Sequence, residues 1–479
     1  MNHLPKCAPP VDMAMNHVED YEDNDMPAEY QTEFDRENGI SSIIERLGGA
    51  SITQIFVHYV ALPGYEKYDE RALVVARLDD VVCVADRVDK EYLRFLSNLG
   101  IGPKNGNVVV ASKDFPRNYD SYLSDLLMNN NEAILTIRNL VEQGKKIVLN
   151  PYKVTPSEFK LATILEKVLG RKVHLLGGNS DIVDYANHKH KVRAKALELG
   201  VPVPEGEVVE LKVDRDGRPL DLTPLHSVIH QFINKTGRVL IKGSIGSSGS
   251  SLFVVENNTE SIQKALREIA EKTDNRIYLV EIMLDVVVSP NILMYIEQGN
   301  SEILCVSITD QILTDHLVHE GNIYPTRAKT LKEMMNSAHR MSKWLQAYGY
   351  SGFVGFDFGE YFNTEKGQLD YFLAEINPRI NAATYPKSLM EYLNKKQKQK
   401  GWPYIEAFLS ANVKTKAGSF AELSELYGHL FFKPKTAKGL VPYNIGCLEY
   451  GTFTLAVFGQ STEEVMEIYK DFKALLAKE

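Results

Sequence analysis

The chain contains 479 residues, of which 44% are hydrophobic and 24% are charged, a composition typical of a soluble globular protein with roughly two to four domains. The net charge of -9 and the pI near 5.8 argue against nucleic acid or an anionic membrane as the main partner, so an anionic ligand requires a local basic pocket. The four cysteines show no paired spacing, which argues against a zinc site or a disulfide framework.

Residues 1–40 are acidic, with a dense cluster at residues 19–25, and contain few aliphatic side chains. Such a segment buries little apolar surface, so we expect a flexible arm. The first ten residues lack the basic and apolar regions of a secretory signal, and no run reaches the roughly 18 apolar residues of a membrane helix. We therefore expect a cytoplasmic protein that does not cross a membrane.

Apolar runs alternate with helical patterns over residues 41–187. Strands are predicted at residues 54–60, 73–85, 107–111, 146–149 and 172–176, and helices at 90–98, 119–129, 131–143 and 155–169. The last helix begins with T-P-S-E, a typical capping signal. The alternation predicts a parallel, doubly wound sheet, although neither a G-x-G-x-x-G sequence nor a Walker lysine loop is present.

The next stretch contains two basic features that suit a phosphate ligand. Lys189 and Lys191 precede a short helix, where either lysine could instead be a surface charge. Lys242 ends a predicted strand and is followed by a Gly/Ser loop over residues 243–251, whose small residues and N–H groups could wrap phosphate oxygens. A second predicted strand, residues 252–255, favours a hairpin over a mobile linker.

Residues 277–284 predict a strand that continues into an extended segment. Extended backbone offers the alternating donors and acceptors that an adenine ring needs, although the same pattern describes any core strand. His316 and His319 follow in a polar loop. They belong to no recognisable ligand set, so a substrate-lining or structural role is preferred over metal binding.

The strongest signal is a predicted hairpin of residues 353–358 and 369–376, joined by a polar segment. Glu375 and Asn377 share one strand face, and Asp357 can lie opposite them. Such hard oxygen donors suit Mg²⁺, which usually shares its coordination with nucleotide phosphates. Arg379 adds a planar fork for a carboxylate or phosphate. The alternative is an acidic strand face that is merely solvated.

In this order, the motifs resemble those of the ATP-grasp superfamily. The sequences L-N-P-Y-K-V-T-P at residues 149–156, K-G-L-V-P-Y at 438–443 and A-V-F-G-Q-S-T at 456–462 resemble more closely the pheganomycin-type peptide ligases. The resemblance implies an α/β protein with a Rossmann-like pre-ATP-grasp domain at residues 41–187. An α+β ATP-grasp domain at 188–400 and a small C-terminal α+β domain at 401–479 would follow.

The resemblance also implies roles for individual residues. Lys189 is favoured over Lys191 by its spacing from Gly200. The implied ATP-binding residues are Lys189, Lys242, Gly246, Ser247, Ser248, Gly249, Ser250, Glu281, Ile282 and Leu284. The implied ligands of two Mg²⁺ ions, which Mn²⁺ could replace, are Asp357, Glu375 and Asn377. Lys242 and Arg379 would be catalytic, and the implied substrate-binding residues are Arg379, Asn381, His316, His319 and Arg327.

The activity implied by the resemblance is that of an ATP-dependent ligase that joins a carboxylate to an amine through an acylphosphate. The substrates would be small molecules such as amino acids or peptides. Three alternatives stay open: loading of an amino acid onto a carrier protein, phosphoryl transfer to a hydroxyl, and a nucleotide-binding regulator without chemistry. The sequence does not reveal the substrates, and it leaves a homodimer open.

Overall fold

The structure is a computed structural model that describes residues 39–59, 67–111, 122–246, 251–297, 299, 302–314 and 317–478. Almost all of the predicted acidic arm, residues 1–40, lies outside the described residues. Within them, the chain begins with α1 (Ile40–Leu47), whose first two backbone N–H groups contact the Glu391 carboxylate. No helix in these ranges has both the length and the apolar character of a membrane span.

The N-terminal domain contains a five-stranded sheet in the order β3-β2-β1-β4-β5, and every pairing in it is parallel. Its strands are β1 (Ile52–Val57), β2 (Val81–Val84), β3 (Val108–Val110), β4 (Lys146–Pro151) and β5 (Val173–Leu175). The helices are α2 (Lys90–Leu99), α3 (Leu123–Met128), α4 (Asn131–Leu140) and α5 (Pro156–Leu169). β1 and β2 are buried throughout because both faces of a parallel sheet are covered. The predicted Rossmann-like arrangement is confirmed.

One predicted strand of this domain is wrong. Residues 73–85 do not form a continuous strand, since Tyr68–Val74 is a 3₁₀ helix and β2 begins only at Val81. A turn separates the two elements because the buried Asp80 carboxylate accepts hydrogen bonds from the backbone N–H groups of Gln54 and Arg77. The apolar run is buried in both halves, so composition did not distinguish a helix from a strand.

Two helices, α6 (Ser180–Asn187) and α7 (Lys189–Glu198), lead into a four-stranded antiparallel sheet of order β6-β9-β7-β8. Its strands are β6 (Gly206–Glu210), β7 (Arg238–Gly243), β8 (Leu252–Glu256) and β9 (Ile277–Ile282), and its helices are α8 (Thr223–Thr236) and α9 (Thr259–Ala270). β7 and β8 pair as the predicted hairpin, with Lys242 opposite Leu252. Lys242 therefore lies near the end of β7, an interior strand that pairs with both β8 and β9.

A nine-stranded antiparallel sheet forms the rest of the molecule, in the order β10-β14-β11-β12-β13-β16-β18-β17, with β15 paired to β14. The strands before residue 400 are β10 (Val286–Val288), β11 (Pro290–Ile296), β12 (Ile303–Leu313), β13 (His319–Tyr324), β14 (Gly352–Asn363) and β15 (Gln368–Asn377). α10 (Leu331–Ala347) and α11 (Thr384–Lys400) accompany them. The predicted hairpin is β14 and β15.

The chain after residue 400 contributes strands to the same sheet. β16 (Ala407–Lys414) pairs with β13, and β18 (Thr452–Gly459) lies between β16 and β17 (Gly439–Tyr443). α12 (Phe420–Tyr427) and α13 (Thr462–Leu476) complete this region. The predicted C-terminal domain therefore shares a continuous sheet with β10–β15, which fixes its position relative to the cleft.

A close contact of two glycines joins the N-terminal domain to β14. Gly352 adopts φ +101°, and a Cβ atom there would lie 3.0 Å from the Cα atom of Gly177. Ser351 reinforces the contact by donating a hydrogen bond of 3.1 Å to the Gly177 carbonyl. The absence of both side chains therefore allows β14 to approach the end of the parallel sheet.

Candidate active site

The three sheets enclose a cleft of about 1140 Å³ that is lined by all three regions of the chain. The predicted site residues that line it are Lys189, Lys242, Gly246, Glu281, Ile282, Leu284, His319, Asp357, Glu375, Asn377, Arg379 and Asn381. Ser247, Ser248, Gly249, Ser250 and His316 lie outside the described residues. Arg327 is not in the lining: its side chain is 66% exposed and its Nε lies 3.3 Å from Asp310.

Asp357 and Glu375 lie directly opposite each other on β14 and β15. Asp357 is half-buried, and its loss of hydration together with the neighbouring Glu375 charge raises its pKa to about 7. The Asn377 side-chain N–H donates a hydrogen bond of 2.8 Å to Asp357 Oδ2. The hairpin therefore brings together the three oxygen-bearing side chains that the alternation of residues predicted.

Two further amides support Asp357, and the sequence analysis did not identify them. Asn291 on β11 and Gln311 on β12 both donate hydrogen bonds to Asp357 Oδ1. Asn291 also accepts a hydrogen bond of 2.6 Å from Asn381. Polar residues within otherwise apolar strands were the available signal. Gly355 leaves space for this network, since a Cβ there would lie 3.1 Å from both Asn291 and Asn381.

Lys189 connects the carboxylates to the β7–β8 hairpin. Its Nζ lies 3.0 Å from Glu375 Oε1 and donates a hydrogen bond of 3.2 Å to the Gly246 carbonyl. Its backbone N–H donates to the Ser244 carbonyl at 2.9 Å, so the first turn of α7 is tied to the same loop. The positively charged ammonium group of Lys189 therefore lies between a predicted metal ligand and a predicted phosphate-binding loop.

A buried charge triad fixes Lys242. Lys242 Nζ lies 2.6 Å from Glu281 Oε2, while Arg193 donates a hydrogen bond of 2.7 Å to Glu281 Oε1. All three side chains are buried. Arg193 also donates to the Pro204 carbonyl, and sequence reasoning missed it because a lone arginine in a basic helix carries no distinctive pattern. The Glu281 carboxylate is therefore engaged by two cations at once.

The predicted adenine segment follows β9 and lines the cleft from Glu281 to Asp285. The backbone N–H of Ile282 donates a hydrogen bond of 2.9 Å to the Glu205 carbonyl, and that of Met283 donates to the Arg238 carbonyl at 3.2 Å. Leu284 lies beyond the end of β9. The Ile282 N–H is therefore occupied within the protein, although the residue still lines the cleft.

Arg379 contacts Asn377, whereas Lys189 contacts Glu375. Arg379 donates a hydrogen bond of 2.7 Å to Asn377 Oδ1, and its guanidinium carbon lies 5.2 Å from the centre of the Tyr152 ring. Asn381 is held by Asn291 and by Thr384 at the start of α11. His319 contacts Asn322 at 3.0 Å, and burial lowers its pKa. These contacts hold His319 and Asn381 in fixed orientations.

The carboxylate pair fits a divalent cation. Loss of hydration and, after it, the charge of the adjacent Glu375 raise the pKa of Asp357, and a bound cation would offset both effects. Among the described residues, no group of three or more His, Cys, Asp or Glu side chains could hold a metal ion. The candidate site therefore combines two carboxylates with the Asn377 amide, a donor set suited to Mg²⁺.

Known proteins resemble this chain in one domain of the sequence and in the overall fold. The model of the pre ATP-grasp domain matches residues 69–166, and no curated protein sequence matches the chain. The ADP complex of PurK, an N5-carboxyaminoimidazole ribonucleotide synthetase, is 12% identical with a TM-score of 0.51, over 88% of this chain and 95% of that one.

Two further structures give similar values. An N5-carboxyaminoimidazole synthase from Aspergillus clavatus, in complex with ADP and 5-aminoimidazole ribonucleotide, is 12% identical with a TM-score of 0.51, over 89% of this chain and 99% of that one. A biotin carboxylase from Campylobacter jejuni is 13% identical with a TM-score of 0.54, over 87% and 89% of the two chains. At such identities the similarity establishes the fold.

The match to the domain model and the observed fold agree with each other. The matched segment lies within the parallel-sheet domain that precedes the cleft-forming sheets. Residues 69–166 therefore match a pre ATP-grasp domain, and the whole chain has a fold similar to that of PurK and of biotin carboxylase. The closer resemblance to the pheganomycin-type peptide ligases stays a prediction.

Proposed function

We propose that this chain is an ATP-dependent carboxylate-amine ligase that forms an amide or peptide bond and releases ADP and phosphate. The observation that carries the proposal is the convergence of two lysines, two carboxylates and an arginine on one cleft. Solved structures of the same fold that hold ADP or ATP support the use of ATP. The proposed domain order is that of the sequence: pre-ATP-grasp, ATP-grasp and C-terminal regions.

The nucleotide would bind between the β7–β8 hairpin and the β14–β15 hairpin. Lys242 and Lys189 would contact the phosphates, with Gly246 and the residues after it closing over them, while Ile282 and Leu284 would line the adenine. Glu281 would act by holding Lys242 in position, since its carboxylate is occupied by Lys242 and Arg193. Asp357, Glu375 and Asn377 would hold Mg²⁺, which when bound neutralises charge on the phosphates.

In the proposed reaction, an oxygen of the substrate carboxylate attacks the γ-phosphate, and the bond from that phosphorus to the bridging oxygen of ADP breaks. The amine nitrogen then attacks the acyl carbon, the bond to the phosphate oxygen breaks, and the nitrogen loses a proton. Arg379 would stabilise the charge that develops at the acyl oxygen, because its guanidinium contacts Asn377, which in turn donates to the Asp357 carboxylate. The protein supplies alignment and charge stabilisation.

The test is an assay of phosphate and ADP with paired substrates. The full chain is incubated with MgATP and a panel of amino acids and short peptides, singly and in pairs, and products are identified by mass. We expect ADP and free phosphate in equal amounts only when a carboxylate and an amine are both present. Phosphate retained on the product would indicate a phosphotransferase, and nucleotide binding without turnover would indicate a regulator.

A further inference from the structure

Arg71 is a buried cation that the proposed reaction does not use. It lies in the 3₁₀ helix Tyr68–Val74 of the N-terminal domain, is 5% exposed, and lines the same cleft as Arg379. Its Nε and Nη2 atoms are buried and have no hydrogen-bond partner within the described part of the chain. Buried arginines are ordinarily paired, because burial of an unpaired charge is costly.

The surroundings of Arg71 are aromatic. Its guanidinium carbon lies 5.4 Å from the ring centre of Tyr68, 4.3 Å from that of Tyr152 and 4.6 Å from that of Tyr385. Ring faces attract a cation and exclude water, and the Tyr152 hydroxyl forms one hydrogen bond with the guanidinium, but the Nε and Nη2 donors stay unsatisfied. In the described ranges, the residues next to it direct their carboxylates elsewhere: Asp69 accepts from the Ala85 N–H and Glu70 from the Gly446 N–H.

Arg71 and Arg379 share one aromatic ring. Both guanidinium groups lie over Tyr152, at 4.3 and 5.2 Å from its centre, so they can be no farther apart than the sum of those distances. That span corresponds to about three residues of extended chain at most. Burial raises the pKa of the Tyr152 hydroxyl, but the charges of Arg379 and Arg71 overcome this effect and lower it. This end of the cleft is therefore positively charged.

We infer that Arg71 binds a second carboxylate, which belongs to a substrate and does not react. The paired Nε and Nη2 donors form the side of the guanidinium fork that matches the two oxygens of a carboxylate. Under the proposed function, on which this inference rests, Arg379 faces the activated carboxyl group. The group at Arg71 is then the α-carboxylate of an amino acid that accepts the acyl group, or the spare carboxylate of a dicarboxylic acid.

The primary test is a binding measurement that requires no turnover. The melting temperature of the full chain is titrated with each of a panel of amino acids and dicarboxylic acids, with the matching primary amides, and with inorganic phosphate. Four proteins are compared: the natural chain, Arg71→Gln, Arg71→Lys, and Arg276→Gln as a control that removes a 64% exposed arginine outside the cleft lining. Arg71→Lys retains the positive charge, so it serves as the second variant if Arg71→Gln does not fold.

We expect at least one acid to bind the natural chain about 10- to 100-fold more tightly than its amide, the range of a charge-assisted pair. Arg71→Gln should lose that preference, and Arg71→Lys should weaken acid binding without affecting the amide. Arg276→Gln should behave as the natural chain. Equal binding of acid and amide, acid binding unchanged in Arg71→Gln, or binding of phosphate but of no carboxylate would overturn the assignment.

Turnover measurements show which substrate carries the carboxylate that Arg71 binds. If the amine substrate carries this carboxylate, amidation of the carboxylate of the amine substrate lowers kcat/KM in the natural chain but not in Arg71→Gln. If the acid substrate carries it, amidation of the spare carboxyl group of the acid has that effect instead. The two proposals fail separately. If acids bind through Arg71 but no ADP forms, the ligase proposal alone is rejected. If ADP forms at the same rate whichever carboxyl group is amidated, the role of Arg71 alone is rejected.

Discussion

Replacement of Glu375 by glutamine tests the proposed metal site most directly. The change keeps the size of the side chain and removes its charge, which stands opposite Asp357 and 3.0 Å from Lys189 Nζ. Because the Glu375 side chain is 36% exposed, we expect the variant to fold. The loss of one preorganised electrostatic partner typically costs on the order of 10² to 10³ in rate, or about 2.7–4 kcal/mol of transition-state stabilisation.

The assay measures ADP formation at a series of Mg²⁺ concentrations, together with the rise in melting temperature that Mg²⁺ and ATP cause. We expect Glu375→Gln to lose at least about 100-fold in turnover and to lose most of the Mg²⁺-dependent rise. Asp370→Asn is the matched control, since Asp370 lies on the same strand but pairs with Lys366 at 2.7 Å, outside the cleft lining. Near-normal, Mg²⁺-dependent turnover in Glu375→Gln would refute the metal assignment.

Three further predictions concern stability. Glu281→Gln leaves Lys242 and Arg193 buried without their negative partner, so the free energy of unfolding in urea should fall by about 3–5 kcal/mol. Burial, and then the Asp69 charge, raise the pKa of Glu70 to about 8 from an ordinary value of 4.5. Since the folded-state pKa is the higher one, this group's contribution to stability is complete below about pH 4.5 and is lost as the pH rises through about 8; Glu70→Gln should flatten that decline. Gly352→Ala should lower the melting temperature, because φ +101° and the Gly177 backbone leave no place for a Cβ atom.

Each of these predictions has a control and a contradicting result. Glu205→Gln is the control for Glu281→Gln: it removes an exposed partner of Lys235 and should change the free energy of unfolding by under about 1 kcal/mol. If Glu281→Gln lost no more unfolding free energy than Glu205→Gln, burial of the charge triad would not contribute to stability. Gly106→Ala should be neutral, since no atom lies within 4 Å of the place that its added Cβ would occupy. An unchanged pH profile of melting in Glu70→Gln would show that Glu70 is not the titrating group.

Local patterns predicted the central hairpin correctly. The two apolar runs around a polar turn indicated β14 and β15, and the period of two placed Glu375 and Asn377 on one face with Asp357 opposite. The position of Lys242 at the end of its strand was equally predictable, because the Gly/Ser run marks where the strand must stop. In both cases the information lies in neighbouring residues of the sequence, which is the range over which such patterns operate.

The residues that the sequence analysis missed have distant partners. Arg193 meets Glu281 across 88 residues, and Asn291 and Gln311 reach Asp357 across 66 and 46 residues. The apolar run at residues 73–85 was predicted as one strand, which concealed the 3₁₀ helix that carries Arg71. No local periodicity distinguishes an arginine that enters a cleft from one that faces solvent.

The sequence by itself therefore determined the order of the elements, the hairpin that carries the acidic side chains, and the end of the strand at Lys242, since all of these follow from neighbouring residues. Tertiary structure alone decided which charges neutralise each other and which are left without a partner. Side-chain pairing depends on the register of strands and helices that are far apart in the chain. That register brought Glu281 between two cations and left Arg71 among tyrosine rings.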